Sequence, residues 1–178
     1  IEALIGPDDE VIMPTPCWVS YVEMVKIAQG KSVIVKTRME DNFCLTAAQL
    51  EAAITPKTKL LMLCSPNNPT GSVYPRHVLA QIVALAKKHD LILFADEIYD
   101  KIVYDGIEHV SVAALAGDQL CISFNGLSKS YRIAGYRSGW MAITGDKSRA
   151  LDYIEGLDML ASMRLCANHQ AQYAIQTA

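Results

Sequence analysis

Lys129 lies in Asn125-Gly126-Leu127-Ser128-Lys129-Ser130, directly after the apolar run 120–124, and Arg137 follows it by eight residues. An amine therefore sits where a strand gives way to a loop, with a guanidinium close behind. Two further apolar runs end in the same manner. One leads into Ser65-Pro66-Asn67-Asn68-Pro69-Thr70-Gly71, the other into Phe94-Ala95-Asp96-Glu97-Ile98-Tyr99. An amine can condense with an aldehyde, a guanidinium can hold a phosphate, and a carboxylate can keep a heterocyclic nitrogen protonated. Lysine, arginine, aspartate and asparagine at successive strand ends are what a pyridoxal phosphate (PLP) site requires.

The elements that must position these groups can be read from periodicity. Residues 10–13 read as a short buried strand ended by Pro14-Thr15-Pro16, and 18–29 has helical spacing closed by Gly30, which offers a left-handed position. Residues 31–37 and 59–64 read as strands. Between them, 46–54 is a short helix in which Thr46 and Gln49 resemble a capping box. Pro75 starts a helix through His89 with Val78, Leu79, Ile82, Val83 and Leu85 on one side. Runs 91–95 and 120–124 are continuously apolar, as in parallel strands covered on both faces. A strand over 139–143 and a helix over 147–163 follow, and 167–178 stays helix-like. The stretch 99–119 reads as irregular and exposed. Alternating strands and helices predict an α/β fold, a mostly parallel sheet with helices on both faces. In such sheets ligands bind beyond the carboxyl ends of the strands, where Asn68, Asp96 and Lys129 all fall.

Composition narrows the function classes. With 178 residues, 51% hydrophobic and 20% charged, the chain has enough apolar material for one sizeable core. A net charge of -3 without a basic stripe argues against nucleic-acid binding. No apolar run is long enough to span a bilayer, and no charged-then-apolar leader opens the chain. The five cysteines, Cys17, Cys44, Cys64, Cys121 and Cys166, are scattered without metal-ligand spacing. They read as reduced, mostly buried thiols of a cytoplasmic protein. The four histidines have no partner spacing and read as surface or capping groups, and Tyr104, Tyr131, Tyr136 and Trp140 as packing. The first residue is Ile1 and the last stretch carries no helix stop, so both ends read as cut.

Together, S-P-N-N-P-T-G, A-D-E-I-Y and S-K-x-Y-x-x-A-G-x-R resemble the class I/II aminotransferases, a family of fold-type I PLP enzymes, over essentially the whole chain. From Phe94 onward, including 124–129 and 153–168, the chain is similar to the bacterial alanine-synthesising (glutamate–pyruvate) branch. The front half, 18–21 through 54–59, looks more like the aspartate/prephenate branch. The resemblance implies a PLP-binding large domain over 1–178, with 147–178 the helical start of the connection towards a small domain. It also implies a homodimer acting on an amino acid and a 2-oxo acid. The phosphate cup and a partner-subunit tyrosine would lie before Ile1, and the arginine for the substrate carboxylate after Ala178. The isolated stretch is therefore expected to be inactive or very weak.

Carried over residue by residue, the resemblance implies that Lys129 holds the cofactor and then moves the substrate's Cα proton. An ordinary lysine, with a pKa of about 10.4, is protonated at neutral pH, so burial and the nearby Arg137 are expected to free its amine. Asp96 would face the ring nitrogen. A carboxylate about 4 Å away contributes on the order of 4 kcal/mol at moderate dielectric, roughly three pKa units. Tyr99 and Asn68 would donate to the cofactor's phenolate oxygen, and Asn68 also to the substrate carboxylate. Arg137 would hold the phosphate with help from Ser128, and Trp18 would stack on the ring. Many relatives carry a serine three residues before the lysine, where this chain has Gly126, so a backbone donor near Gly126 is expected to substitute. An Asn68-Pro69 cis bond is expected from the same likeness. Competing readings are a PLP β-lyase of the same fold, a non-catalytic sensor domain, and a nucleotide-binding α/β domain. The last has no G-x-G-x-x-G or Walker sequence behind it.

Overall fold

The computed structural model describes residues 1–178. Six strands form one sheet: β1 Glu10–Thr15, β2 Lys31–Lys36, β3 Thr58–Cys64, β4 Ile92–Asp96, β5 Cys121–Gly126 and β6 Gly139–Thr144. Their order across the sheet is β2-β1-β3-β4-β5-β6. The first five run parallel, and β6 returns antiparallel to β5, pairing Gly126 with Gly139. Six helices connect or follow them: α1 Ser20–Ile27, α2 Ala47–Ala53, α3 Arg76–Lys88, α4 Ala113–Ala116, α5 Leu151–Arg164 and α6 His169–Ile175.

Alternation along each strand sorts the core into two layers. Ile12, Leu61, Leu63, Leu93, Ala95 and Cys121 face one way, against Leu50 of α2 and Leu79, Ile82 and Ala86 of α3. Val11, Met13, Leu60, Met62, Phe94 and Ile122 face the other way, against Tyr21 and Val25 of α1 and Ile5. Most of these side chains are fully buried. At about 25 cal/mol per Å² of apolar area, each such aliphatic side chain contributes roughly 1.5–3 kcal/mol.

Local signals place the ends of several elements. Thr46 caps α2 with the reciprocal bonds of a capping box. Pro75 stands at the N-cap of α3, one residue before the helix begins. Strand β1 runs on through Pro14 to Thr15, past the expected stop. Gly30 does not adopt the left-handed conformation expected of it; Gln29 does, with φ of 62°. Glycine is needed at 30 for space, because a Cβ there would lie 2.4 Å from the Ile5 side chain. The irregular stretch 99–119 contains the short helix α4. Helix α5 begins at Leu151, four residues later than 147.

Candidate active site

The carboxyl ends of β3, β4 and β5 open onto one cavity of about 360 Å³. Trp18, Asn68, Asp96, Tyr99, Ser128, Lys129 and Arg137 all line it, so the seven residues singled out from the sequence share one space. Tyr21, Cys64, Ile98, Phe124, Asn125 and Ala134 complete the wall.

Asp96 ends β4 with each carboxylate oxygen engaged. Oδ1 accepts from the Ile98 backbone N–H at 3.2 Å, and Oδ2 accepts from the Tyr21 hydroxyl. One lone pair on each oxygen remains for a further donor. Tyr21 is 4% exposed. Burial raises its phenol above the ordinary value, with Cys64 and Asp96 adding to the shift, so the hydroxyl stays a donor. Burial likewise pushes the Cys64 thiol up to about 11. Tyr99 is raised, again first by burial and then by Cys64 and Asp96. The phenols here are thus held protonated, able to donate and not to bear charge.

Trp18, two residues before α1, and Tyr21, in its first turn, are edge to face with centroids 5.5 Å apart and planes at 89°. Trp18 keeps 42% of its surface exposed, leaving an indole available to a ligand. The turn after β3 is fastened by Asn67, whose amide donates to Pro16 O at 3.0 Å and to Thr70 Oγ1 at 2.8 Å. The Asn68 side chain makes no hydrogen bond to the protein and borders both this cavity and a neighbouring one. Asn68 lies within this turn, but its side chain is not among those that fasten it. The Asn68-Pro69 bond is cis, as are Thr15-Pro16 and Ser65-Pro66.

Lys129 and Arg137 have no carboxylate partner. Arg137 donates only to Ala134 O, at 2.8 Å, and stands in the left-handed conformation with φ of 49°. Lys129 is exposed, contrary to the burial expected of it, because the loop carrying it projects past the end of β5. Of the backbone donors expected near Gly126, its own N–H is not one. Its N–H is taken by Asn125 Oδ1 at 2.7 Å and cannot serve an anion. A Cβ at 126 would lie 2.9 Å from Ser138 O and 3.1 Å from Gly139 Cα, so the close β5–β6 pairing excludes serine there. The backbone N–H groups of Ser128 and Lys129 donate to no protein atom, and they move the available donors two residues along.

These residues fit a flat, phosphate-bearing cation-ring ligand. Unpaired cations and free amides stand at the loop after β5, a fixed carboxylate stands at the end of β4, and an indole flanks the cavity. Tyr21 was not singled out from the sequence, where an apolar-face tyrosine reads as core; its bond to Asp96 spans 75 residues. The only available signal was its i+3 spacing from Trp18. No histidine lines the cavity. His89 caps the C-terminus of α3, in line with the capping role expected, and His89 and His109 are both half-buried, each with an Nε2 atom that is buried without a partner. Tyr104 and Tyr136 are 72% and 46% exposed and do not serve as packing.

A sequence profile of the family "Aminotransferase class I and II" matches residues 1–178. The glutamate-pyruvate aminotransferase AlaA of Escherichia coli is 50% identical over all 178 residues, which correspond to 44% of its length. The alanine aminotransferase of Mycobacterium tuberculosis is 49% identical over the same span, 42% of its length. A crystal structure of an aminotransferase from Escherichia coli superposes with a TM-score of 0.96 at 50% identity, covering 99% of this chain and 44% of that one. The chain thus spans less than half the length of the relatives it matches.

Proposed function

The chain belongs to the class I and II aminotransferases, and on that premise we propose that the full-length protein moves an amino group from glutamate to pyruvate, giving 2-oxoglutarate and alanine, with PLP as cofactor. Support for the substrate pair comes from the names of the relatives at 49–50% identity. Support for the cofactor comes from one observation above all. Two cations without carboxylate partners share a cavity with an aspartate whose two oxygens are already oriented by protein donors.

Bound there, the cofactor would supply an aldehyde to receive the amino group and a ring to take up the electron pair left when the substrate's Cα proton departs. Lys129 would hold the aldehyde carbon and, once displaced by the substrate amine, carry that proton from Cα. Arg137, Ser128 and the amides of 128 and 129 would hold the phosphate. Asp96 would pair with the ring nitrogen, its carboxylate aimed by Tyr21 and by the Ile98 N–H. Tyr99 and Asn68 would donate to the ring oxygen, Asn68 also to the substrate carboxylate, and Trp18 would cover one ring face.

We place residues 1–178 in the cofactor-binding large domain, with 147–178 leading towards a small domain. The full-length protein is proposed to act as a homodimer in the cytoplasm. The reading is tested on the full-length protein with PLP by absorbance. L-alanine should bleach the band of the bound aldehyde cofactor, and pyruvate should restore it. Bleaching by L-aspartate but not L-alanine would move the assignment to the aspartate branch. Release of ammonia and pyruvate from cystathionine would make it a lyase.

A further inference from the structure

The loop that carries Lys129 is shaped from within by Arg132 N–H to Lys129 O at 3.1 Å and Ile133 N–H to Leu127 O at 3.2 Å. Its base is tied to the sheet by Leu127 N–H to Ser138 O. None of these bonds fixes where the far end of the loop lies relative to Asp96 at the end of β4 and Tyr99 in the turn after it. Side chains do that. Ser130 Oγ lies 3.0 Å from Asp100 Oδ1 and 3.3 Å from Ile98 O, and its single proton serves one of the two at a time. Asp100 Oδ1 also accepts from the Lys101 N–H at 2.8 Å, which holds the carboxylate in place. Beside this pair, Lys101 Nζ donates to the Tyr131 hydroxyl and stands 4.5 Å from the centre of its ring. Two consecutive residues after Lys129 thus grip two consecutive residues after Tyr99.

We propose that Ser130 is a positioning residue, clasping the Lys129 loop to the turn that follows Asp96 and contains Tyr99 so that the lysine amine is held at the cavity mouth. The inner link, Ser130 to Asp100, carries the effect. Both residues are half-buried and the bond is charge-assisted, whereas Lys101 is exposed and its contact is screened by water. Lysine has four rotatable side-chain bonds, so a fixed Cα removes much of the space its amine would otherwise search. With the clasp undone, the lysine reaches the aldehyde for a smaller fraction of the time, and apparent affinity for the aldehyde falls by that fraction.

The proposal rests on Lys129 being the residue that takes the cofactor aldehyde, and the test separates the two. Dissociation constants for PLP and for pyridoxamine phosphate, whose amine cannot bond to a lysine, are measured on the full-length protein. The proteins compared are wild type, Ser130→Ala, Ser130→Thr and Lys129→Ala. Loss of one net hydrogen bond predicts that Ser130→Ala weakens PLP about fivefold, with pyridoxamine phosphate within about twofold. Ser130→Thr, which keeps the hydroxyl, should restore PLP binding. Equal weakening of both ligands would show a merely structural role and overturn the proposal, as would no weakening of either. If Lys129→Ala leaves the preference for PLP intact, the assignment of the lysine itself fails.

Discussion

The two ends of the sheet carry cavities of similar size that differ in how their cations are paired. At the carboxyl ends of the strands the cavity is about 360 Å³, and its cations, Lys129 and Arg137, form no ion pair with a carboxylate, although Asp96 lines the same space. At the amino ends a cavity of about 400 Å³ is lined by Lys59, Lys87 and Arg149. There each cation is matched: Lys59 with Asp9 at 3.1 Å, Lys87 with Asp118, and Arg149 with Asp90 through two bonds of 2.7 and 2.8 Å. Volume alone would not separate them. A cation already neutralised by a carboxylate has little left for an anion, whereas an unpaired one keeps its donors and its charge free. Candidate sites in this fold are therefore better ranked by unmet charge than by space.

The largest effect that would break this comparison is expected at Lys129. Its replacement by alanine in the full-length protein should lower transamination on the order of 10^3-fold, whereas Lys87→Ala should leave it unchanged. Steady-state rates with L-alanine and 2-oxoglutarate check both. Next comes Arg137→Ala, which removes a charged hydrogen-bonding partner. It should weaken PLP about 30-fold while leaving pyridoxal, which lacks the phosphate, within about twofold. Arg149→Ala at the far end should change neither constant. A loss of PLP affinity from Arg149→Ala would mean that charge pairing does not distinguish the two ends.

Tyr21→Phe keeps the buried ring and removes the donor to Asp96, and about a fivefold loss of PLP affinity is expected. A PLP analogue with carbon in place of the ring nitrogen should bind both forms equally. If it is weakened as much as PLP, Tyr21 acts through packing and not through the carboxylate.

The smallest effect concerns pH, and the two ends should differ in sign. Glu97, directly after Asp96, is buried and accepts from Val112 N–H at 2.8 Å. Burial raises its carboxyl above the ordinary 4.5. Its contribution favours folding at low pH and is lost as pH rises from 4.5 through the raised value. Asp118 at the far end is lowered from 3.8, first by the bond from Lys87, so its contribution is present above 3.8 and lost as pH falls. Glu97→Gln should therefore gain thermal stability relative to wild type as pH rises above 4.5 and then level off. A difference that does not vary with pH would contradict the burial argument.

What the sequence made legible was whatever local chemistry dictates. Apolar runs located all six strands, and the Thr46–Gln49 pattern located the start of α2. Strand ends then grouped the cavity residues, because a parallel sheet leaves its carboxyl ends open on one side. Four residues escaped because their roles are set by distant neighbours. Gly30 answers to the side chain of Ile5, and Gly126 to the backbone of β6. Tyr21 and Ser130 are ordinary residues until folding brings them to Asp96 and Asp100. Lys129 was expected to be buried and is exposed instead, although its loop neighbours are buried or half-buried, since nothing in its own hexapeptide determines what covers it.

The central claim is that one amine, that of Lys129, meets the cofactor aldehyde. The full-length protein loaded with PLP can be reduced with borohydride, digested, and its peptides read by mass spectrometry. A pyridoxyl phosphate mass on Lys129 and on no other lysine is the predicted result. A label on a different lysine, or on none, would contradict the account.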